Sequence, residues 1–132
     1  MSDIPSKPMP VANELSRPYW EAARRGQLVL QRCGQCGKVR HYPRLLCDSC
    51  HSREVEWMPA TGHGRIHSWT VCHHVFHPGF AADVPYVLVT VDLDEGVRAL
   101  GRWTGASQAI GAQVQGRFEV SGERAELVFS PA

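Results

Sequence analysis

The residues best suited to chemistry in this sequence are four cysteines, Cys33, Cys36, Cys47 and Cys50, spaced C-x2-C-x10-C-x2-C. Two residues between cysteines let a tight turn aim both thiolates at one ion, and two such knuckles complete a tetrahedron. Gly34 and Gly37 are expected to supply the backbone freedom of the first knuckle. Four soft thiolates suit Zn2+, and iron also fits such a set. A set filled by protein ligands leaves no position for water or substrate, so the expected role is structural. His51 follows Cys50 directly, but a complete thiolate set needs no fifth ligand.

Cys72 lies outside this pattern. A nucleophilic cysteine needs a base and an electropositive setting. On a strand Cys72 and His74 share a face, which makes a Cys/His pair conceivable, with an inert buried thiol as the plainer expectation. Five of the seven histidines fall between His63 and His77. No HxH or HExxH spacing occurs there and no carboxylate interrupts the stretch, so surface histidines are expected. His73, His74, His77, Pro78, Gly79 and Phe80 read as a long connection between barrel strands, a place where binding function often sits.

The elements that position these residues follow from periodicity and turn signals. Residues 1–15, with three prolines, read as a flexible arm that could dock on a partner. Ser16 suits an N-cap, Pro18 a first turn and Gly26 a stop, which predicts a short helix over Tyr19–Arg25. Gln27–Arg32 alternates as a strand does, and Glu54–Met58 reads as another. After Pro59 come five β-rich runs, Arg65–Val75, Tyr86–Leu93, Val97–Trp103, Gln113–Val120 and Ala125–Phe129, separated by Gly- and Pro-bearing turns. Five short strands without intervening helices predict a small closed barrel. The near-continuous apolar run Tyr86–Val91 predicts a strand buried on both sides.

Composition narrows the function classes. The chain has 132 residues, 43% of them hydrophobic, with 14 Lys+Arg against 13 Asp+Glu. That balance argues against a nucleic-acid protein, whose affinity rests on neutralising phosphates, although residues 24–44 are locally basic. No apolar run approaches the ~20 residues of a membrane span. The first ten residues lack a signal-peptide core, so a cytoplasmic location is expected, where paired cysteines read as metal ligands rather than disulfides. No G-x-S-x-G, Walker A or G-x-G-x-x-G motif occurs, and no acid/base carboxylate pair is visible.

Several ordered segments resemble one family. Tyr19-Trp20-Glu21-Ala22-Ala23, Gly26-Gln27-Leu28, Arg32-Cys33-Gly34-Gln35-Cys36-Gly37 and Pro43-Arg44 are similar to the opening of the zinc-ribbon/OB-fold proteins once called domain of unknown function thirty-five. Gly62-His63-Gly64-Arg65-Ile66-His67-Ser68-Trp69-Thr70, Pro85-Tyr86, Leu93-Asp94-Glu95-Gly96 and Val128-Phe129 extend the resemblance from about residue 16 to the end. Asp48 departs from it, since the family often has proline there. The resemblance implies a mainly β fold: N-terminal arm and helix in 1–26, a rubredoxin-like zinc ribbon in 27–58 and a five-stranded OB-fold barrel in 59–132. It also implies a partner, because members accompany thiolase-fold enzymes: thiolases, acyltransferases and aldolases acting on acyl-CoA. The partner supplies the catalytic group, and acyl-CoA is shared between subunits.

Coenzyme A carries phosphates and an adenine, which favour arginine and an aromatic ledge. Arg65, Trp69, Arg102 and Trp103 are the candidates by residue type. Two other readings compete with the accessory subunit: an OB-fold binder of single-stranded nucleic acid, which needs a basic groove with stacking aromatics, and a small enzyme using Cys72.

Overall fold

The computed structural model describes residues 6–132, so the first five residues of the expected arm lie outside the described residues. Residues 6–15 lie on the chain's own barrel, with Lys7 Nζ 2.6 Å from the Asp83 carboxylate and the Pro8 carbonyl accepting from Arg124 at 3.4 Å.

Helix α1 spans Arg17–Arg24. Ser16 holds the N-cap position, but its hydroxyl makes no cap bond to the helix. It accepts instead from the Asn13 amide at 3.1 Å, while Asn13 Oδ1 accepts from the Ser16 amide at 2.8 Å. At the other end the amides of Gly26 and Gln27 both donate at 2.9 Å, to Ala23 and Ala22, closing the helix with a paired cap. The buried face is Tyr19, Ala22 and Ala23.

The chain then forms two sheets. Strands β1 (Val29–Cys33), β2 (Val39–Arg40) and β3 (Val55–Pro59) make an antiparallel ribbon in the order β2-β1-β3. Strand β2 is too short to show a period and was not readable in the sequence. Strands β4 (His63–Cys72), β5 (Tyr86–Leu93), β6 (Arg98–Trp103), β7 (Gln113–Ser121) and β8 (Arg124–Pro131) close a barrel in the order β4-β5-β6-β8-β7. The closure uses a short parallel pairing of β6 with β8, Arg102 against Val128 and Trp103 against Phe129. This is the OB-fold arrangement.

Two sequence expectations need correction. Strand β4 stops at Cys72, before the histidines, rather than running to Val75. Strand β5 is not buried on both sides: Val89, Val91 and Leu93 point into the core, while Leu88 and Thr90 are half-buried on the outside. Alternation operates, but the outer face carries the apolar Leu88, which borders a cavity shared with α1 and the arm.

Phe129 sits at the centre of the barrel and is fully buried. It fits because two neighbours lack side chains. A β-carbon on Gly101 would stand 2.6 Å from Phe129 Cδ2, and one on Gly116 2.7 Å from Cε1. The core does not end at the barrel. Tyr19 of the helix and Leu28 and Leu30 of the ribbon belong to the same buried cluster as Ile66, Val89, Val114 and Phe129. None of the described helices is long and apolar enough to cross a membrane.

Candidate metal centre and the barrel residues

The first knuckle leaves the end of β1. The Cys33 amide donates to Lys38 at 2.8 Å, and Gly37 donates back to the Cys33 carbonyl at 3.0 Å. The second knuckle repeats the plan: Cys47 donates to Ser52 at 3.0 Å and His51 to the Cys47 carbonyl at 2.9 Å. Gly37 and His51 therefore occupy matching places, and both have left-handed backbones, φ 80° and 63°. Glycine reaches that region without strain, whereas histidine carries a cost. Gly34, expected to share this role, is not in the left-handed region.

The four sulfurs lie within 4.8 Å of one another, with Cys33–Cys50 at 3.5 Å and Cys36–Cys47 at 3.6 Å. A tetrahedral zinc with bonds of about 2.3 Å places its sulfurs about 3.8 Å apart. A disulfide would need about 2.05 Å. The donor set therefore fits one metal ion. Backbone amides favour the thiolate at the first cysteine of each knuckle, Cys33 and Cys47. Those of Cys36 and Gln35, each 3.4 Å from Cys33 Sγ, hold its pKa down at about 6. Amides of Cys50 and Ser49 lower that of Cys47 in the same way. His51 offers no ligand atom to this group. Asp48, the departure from the family pattern, pairs with Lys38 at 2.9 Å and so ties one knuckle to the other.

The structure scatters the four residues expected to meet coenzyme A. Arg65 is exposed on β4 and donates to the Gly111 carbonyl at 3.2 Å. A bulge at His67 then resets the strand, so that Ser68 rather than His67 follows in register with β5. Arg65 pairs with the exposed Asp92, whereas Trp69 pairs with the buried Val89. The two residues thus lie on opposite faces of the sheet, and Trp69 is 36% exposed where the barrel opens. Arg102 points outward and is held at 2.9 Å by Asp83, with its guanidinium 5.2 Å from the Tyr86 ring centre. Trp103 points inward and is only 8% exposed, its ring against Gly105. It belongs to the buried core cluster, unlike the other three candidates. Strand alternation alone separates Arg102 from Trp103.

Among the described residues no histidine hydrogen-bonds to Cys72. Cys72 is buried opposite Tyr86 in the ladder, while His74 lies in the exposed loop beyond the strand, 4.6 Å from Phe76. The same loop turns back at His77, whose Nδ1 accepts from Gly79 at 3.0 Å. Asp83 then anchors it, held well below the usual carboxylate range by hydrogen bonds from Lys7 and Arg102.

Sequence reasoning missed a cavity of about 520 Å3 between the arm, α1, Tyr42-Pro43 and the outer barrel face. Its walls include Trp20, Leu88, Leu100 and Phe118. The only sequence signal was the apolar outer face of β5, read as two-sided burial.

Comparison with known proteins agrees with this architecture. Residues 20–56 match the ChsH2 rubredoxin-like zinc ribbon domain, and residues 57–119 match the ChsH2 C-terminal OB-fold domain. The chain belongs to the ChsH2/DUF35 family. One relative, a "Probable enoyl-CoA hydratase alpha subunit" of Thermomonospora curvata, is 37% identical over 99 residues, 75% of this chain and 30% of that protein. The chain thus spans about a third of that protein's length. A "DUF35 domain-containing scaffold protein" of Methanocaldococcus jannaschii is 32% identical over 69% of this chain and 67% of its own length. Among solved structures, one described as "Ltp2-ChsH2(DUF35) aldolase" superposes with a TM-score of 0.83 at 35% identity, covering 92% of this chain and 98% of that one. A DUF35 protein from Sulfolobus solfataricus shares the fold, with a TM-score of 0.65 at 13% identity over 92% of this chain and 87% of that one.

Proposed function

We propose that this chain is a non-catalytic, zinc-binding OB-fold subunit that associates in the cytoplasm with a thiolase-fold enzyme and supports its binding or turnover of acyl-CoA. The observation that carries the reading is the near-complete overlap, at 35% identity, with the chain described as part of an Ltp2-ChsH2(DUF35) aldolase. The scaffold naming of relatives supports a non-catalytic role. So does the geometry of the metal centre: four thiolates filling a tetrahedron leave zinc as a staple between knuckles rather than a Lewis acid for substrate. When bound, zinc would lock the ribbon that carries Leu28 and Leu30 into the shared core.

For acyl-CoA, the exposed Trp69 and Arg65 are the contacts this reading retains. Arg102 contributes less, since Asp83 already neutralises it. The test is co-purification of the tagged chain followed by calorimetry with an acyl-CoA, with and without the recovered enzyme. Recovery of a thiolase-fold subunit, with acyl-CoA binding to the complex, is expected. Absence of any such enzyme would overturn the reading, and a complex blind to acyl-CoA would remove its ligand.

A further inference from the structure

Strand β4 has a partner on only part of one edge. Strand β7 pairs with His63–Arg65. The next residue, Ile66, donates to the Ala112 carbonyl at 3.0 Å and accepts from the Gly111 amide at 2.8 Å. Past the bulge, Ser68–Cys72 pair with β5 alone.

Ladder alternation fixes which groups face the open side. Ile66 turns its N–H and C=O away from β5, so its partner Val91 is a position that makes no bond to β4. Every second residue along β5 behaves alike, and that includes Val89 and Val87. Their partners are Trp69 and Val71, which therefore direct their N–H and C=O groups outward. Among the described residues nothing bonds to these four groups. The edge is open to solvent as well, with Trp69 36% and Val71 40% exposed.

Proteins usually blunt such an edge with proline, charge or a bulge. Ser68-Trp69-Thr70-Val71-Cys72 contains no proline and no charge, and the bulge precedes it. We infer that this edge receives an extended strand of the enzyme subunit, which adds to the sheet beside β4. The inference rests on the reading under Proposed function. The added strand needs apolar side chains on the face shared with Trp69 and Val71, and small or polar ones opposite Ser68 and Thr70. A second copy of this chain is a poorer occupant. Five residues of edge are about 17 Å long, and pairing of two such edges falls well short of the roughly 1,200 Å2 of a stable interface. The strand must come from a chain held by further contacts.

Hydrogen exchange of the isolated chain and of its complex with the recovered thiolase-fold subunit tests this. The Trp69 and Val71 amides are expected to exchange at least tenfold more slowly in the complex. Val71→Pro removes an outward N–H and leaves the β4–β5 ladder intact. It should weaken association at least tenfold while the zinc content stays unchanged. Val71→Lys, which keeps the N–H but charges the face, should do likewise and covers the case in which the proline variant misfolds. If a complex forms but both amides exchange as in the free chain, the edge is not the contact and the functional reading stands. Protection that appears in the isolated chain as its concentration rises would assign the edge to a second copy and overturn the inference. If no thiolase-fold enzyme is recovered, both fall together.

Discussion

The Tyr42 hydroxyl accepts a hydrogen bond from the Leu100 amide at 3.0 Å, joining the ribbon loop to the barrel across 58 positions of sequence. Strand β8 meets β6 only at Arg102 and Trp103, so the Leu100 N–H would otherwise lack a protein partner. Tyr42→Phe keeps the ring and deletes the acceptor. It should lower stability by about 0.5–1.5 kcal/mol. A urea titration monitored by circular dichroism checks this, and an unchanged midpoint would show that water replaces the hydroxyl at no cost.

One tightly held zinc per chain is expected from the four sulfurs. Stripping it with a strong chelator, or replacing Cys33 by serine, should expose the ribbon side of the shared core. Binding of this kind contributes roughly 10–16 kcal/mol of apparent folding free energy in small zinc peptides. The melting temperature should therefore fall sharply, with recovery on adding zinc back to the stripped protein. Elemental analysis that finds neither zinc nor iron in the purified chain would end this account.

His51→Gly separates backbone geometry from ligation. Glycine relieves a left-handed cost of about 1–2 kcal/mol but adds a similar unfolded-chain entropy. Stability should move by less than about 1 kcal/mol, and the zinc content should not move at all. Loss of the metal would make His51 a ligand after all.

His41 couples stability to pH. It packs between the tilted rings of Tyr19 and Tyr42, with ring centres 5.5 and 3.9 Å away, and burial depresses its pKa from 6.5 to about 4. The unfolded chain then binds a proton that the folded chain refuses. Stability is full above pH 6.5 and falls as the pH drops toward 4. The loss amounts to roughly 3 kcal/mol when complete. His41→Phe should flatten this window in a series of denaturant titrations, and an identical slope in the variant would assign the effect elsewhere.

Gly101→Ala tests the barrel centre. Its methyl would approach Phe129 to 2.6 Å, and the backbone carbonyl of Leu127 lies 2.9 Å away. Overpacking of this kind costs about 1–3 kcal/mol. Thermal melts should register the loss, whereas Gly111→Ala, in open space, should cost only the strain of its positive φ.

Much of this molecule can be read from residue order because its cues are local. The paired cysteines declare the metal centre through spacing alone, and Gly26 marks the helix end through a cap that needs only adjacent residues. The runs from Tyr86, Val97, Gln113 and Ala125 appear within a few residues of their strands. What escaped depends on contacts between distant segments. The bulge at His67 has no sequence signature, yet it decides that Trp69 faces the barrel mouth while Arg65 faces away. The burial of Trp103 follows from the β6–β8 crossing and from the glycine beside it. The docking of residues 6–15 depends on Lys7 meeting Asp83, a pairing that nothing near Lys7 announces.

The continuous core of Tyr19, Leu28, Leu30, Ile66 and Phe129 has a consequence for how such chains can be recombined. A cut at Pro59 looks like a natural seam, because the ribbon ends there and the barrel begins soon after. Splitting the gene at that seam would leave an apolar wound on both halves. Any natural fusion or engineered chimera that attaches this barrel to another module must carry the helix and ribbon along, or supply a new lid of matching shape.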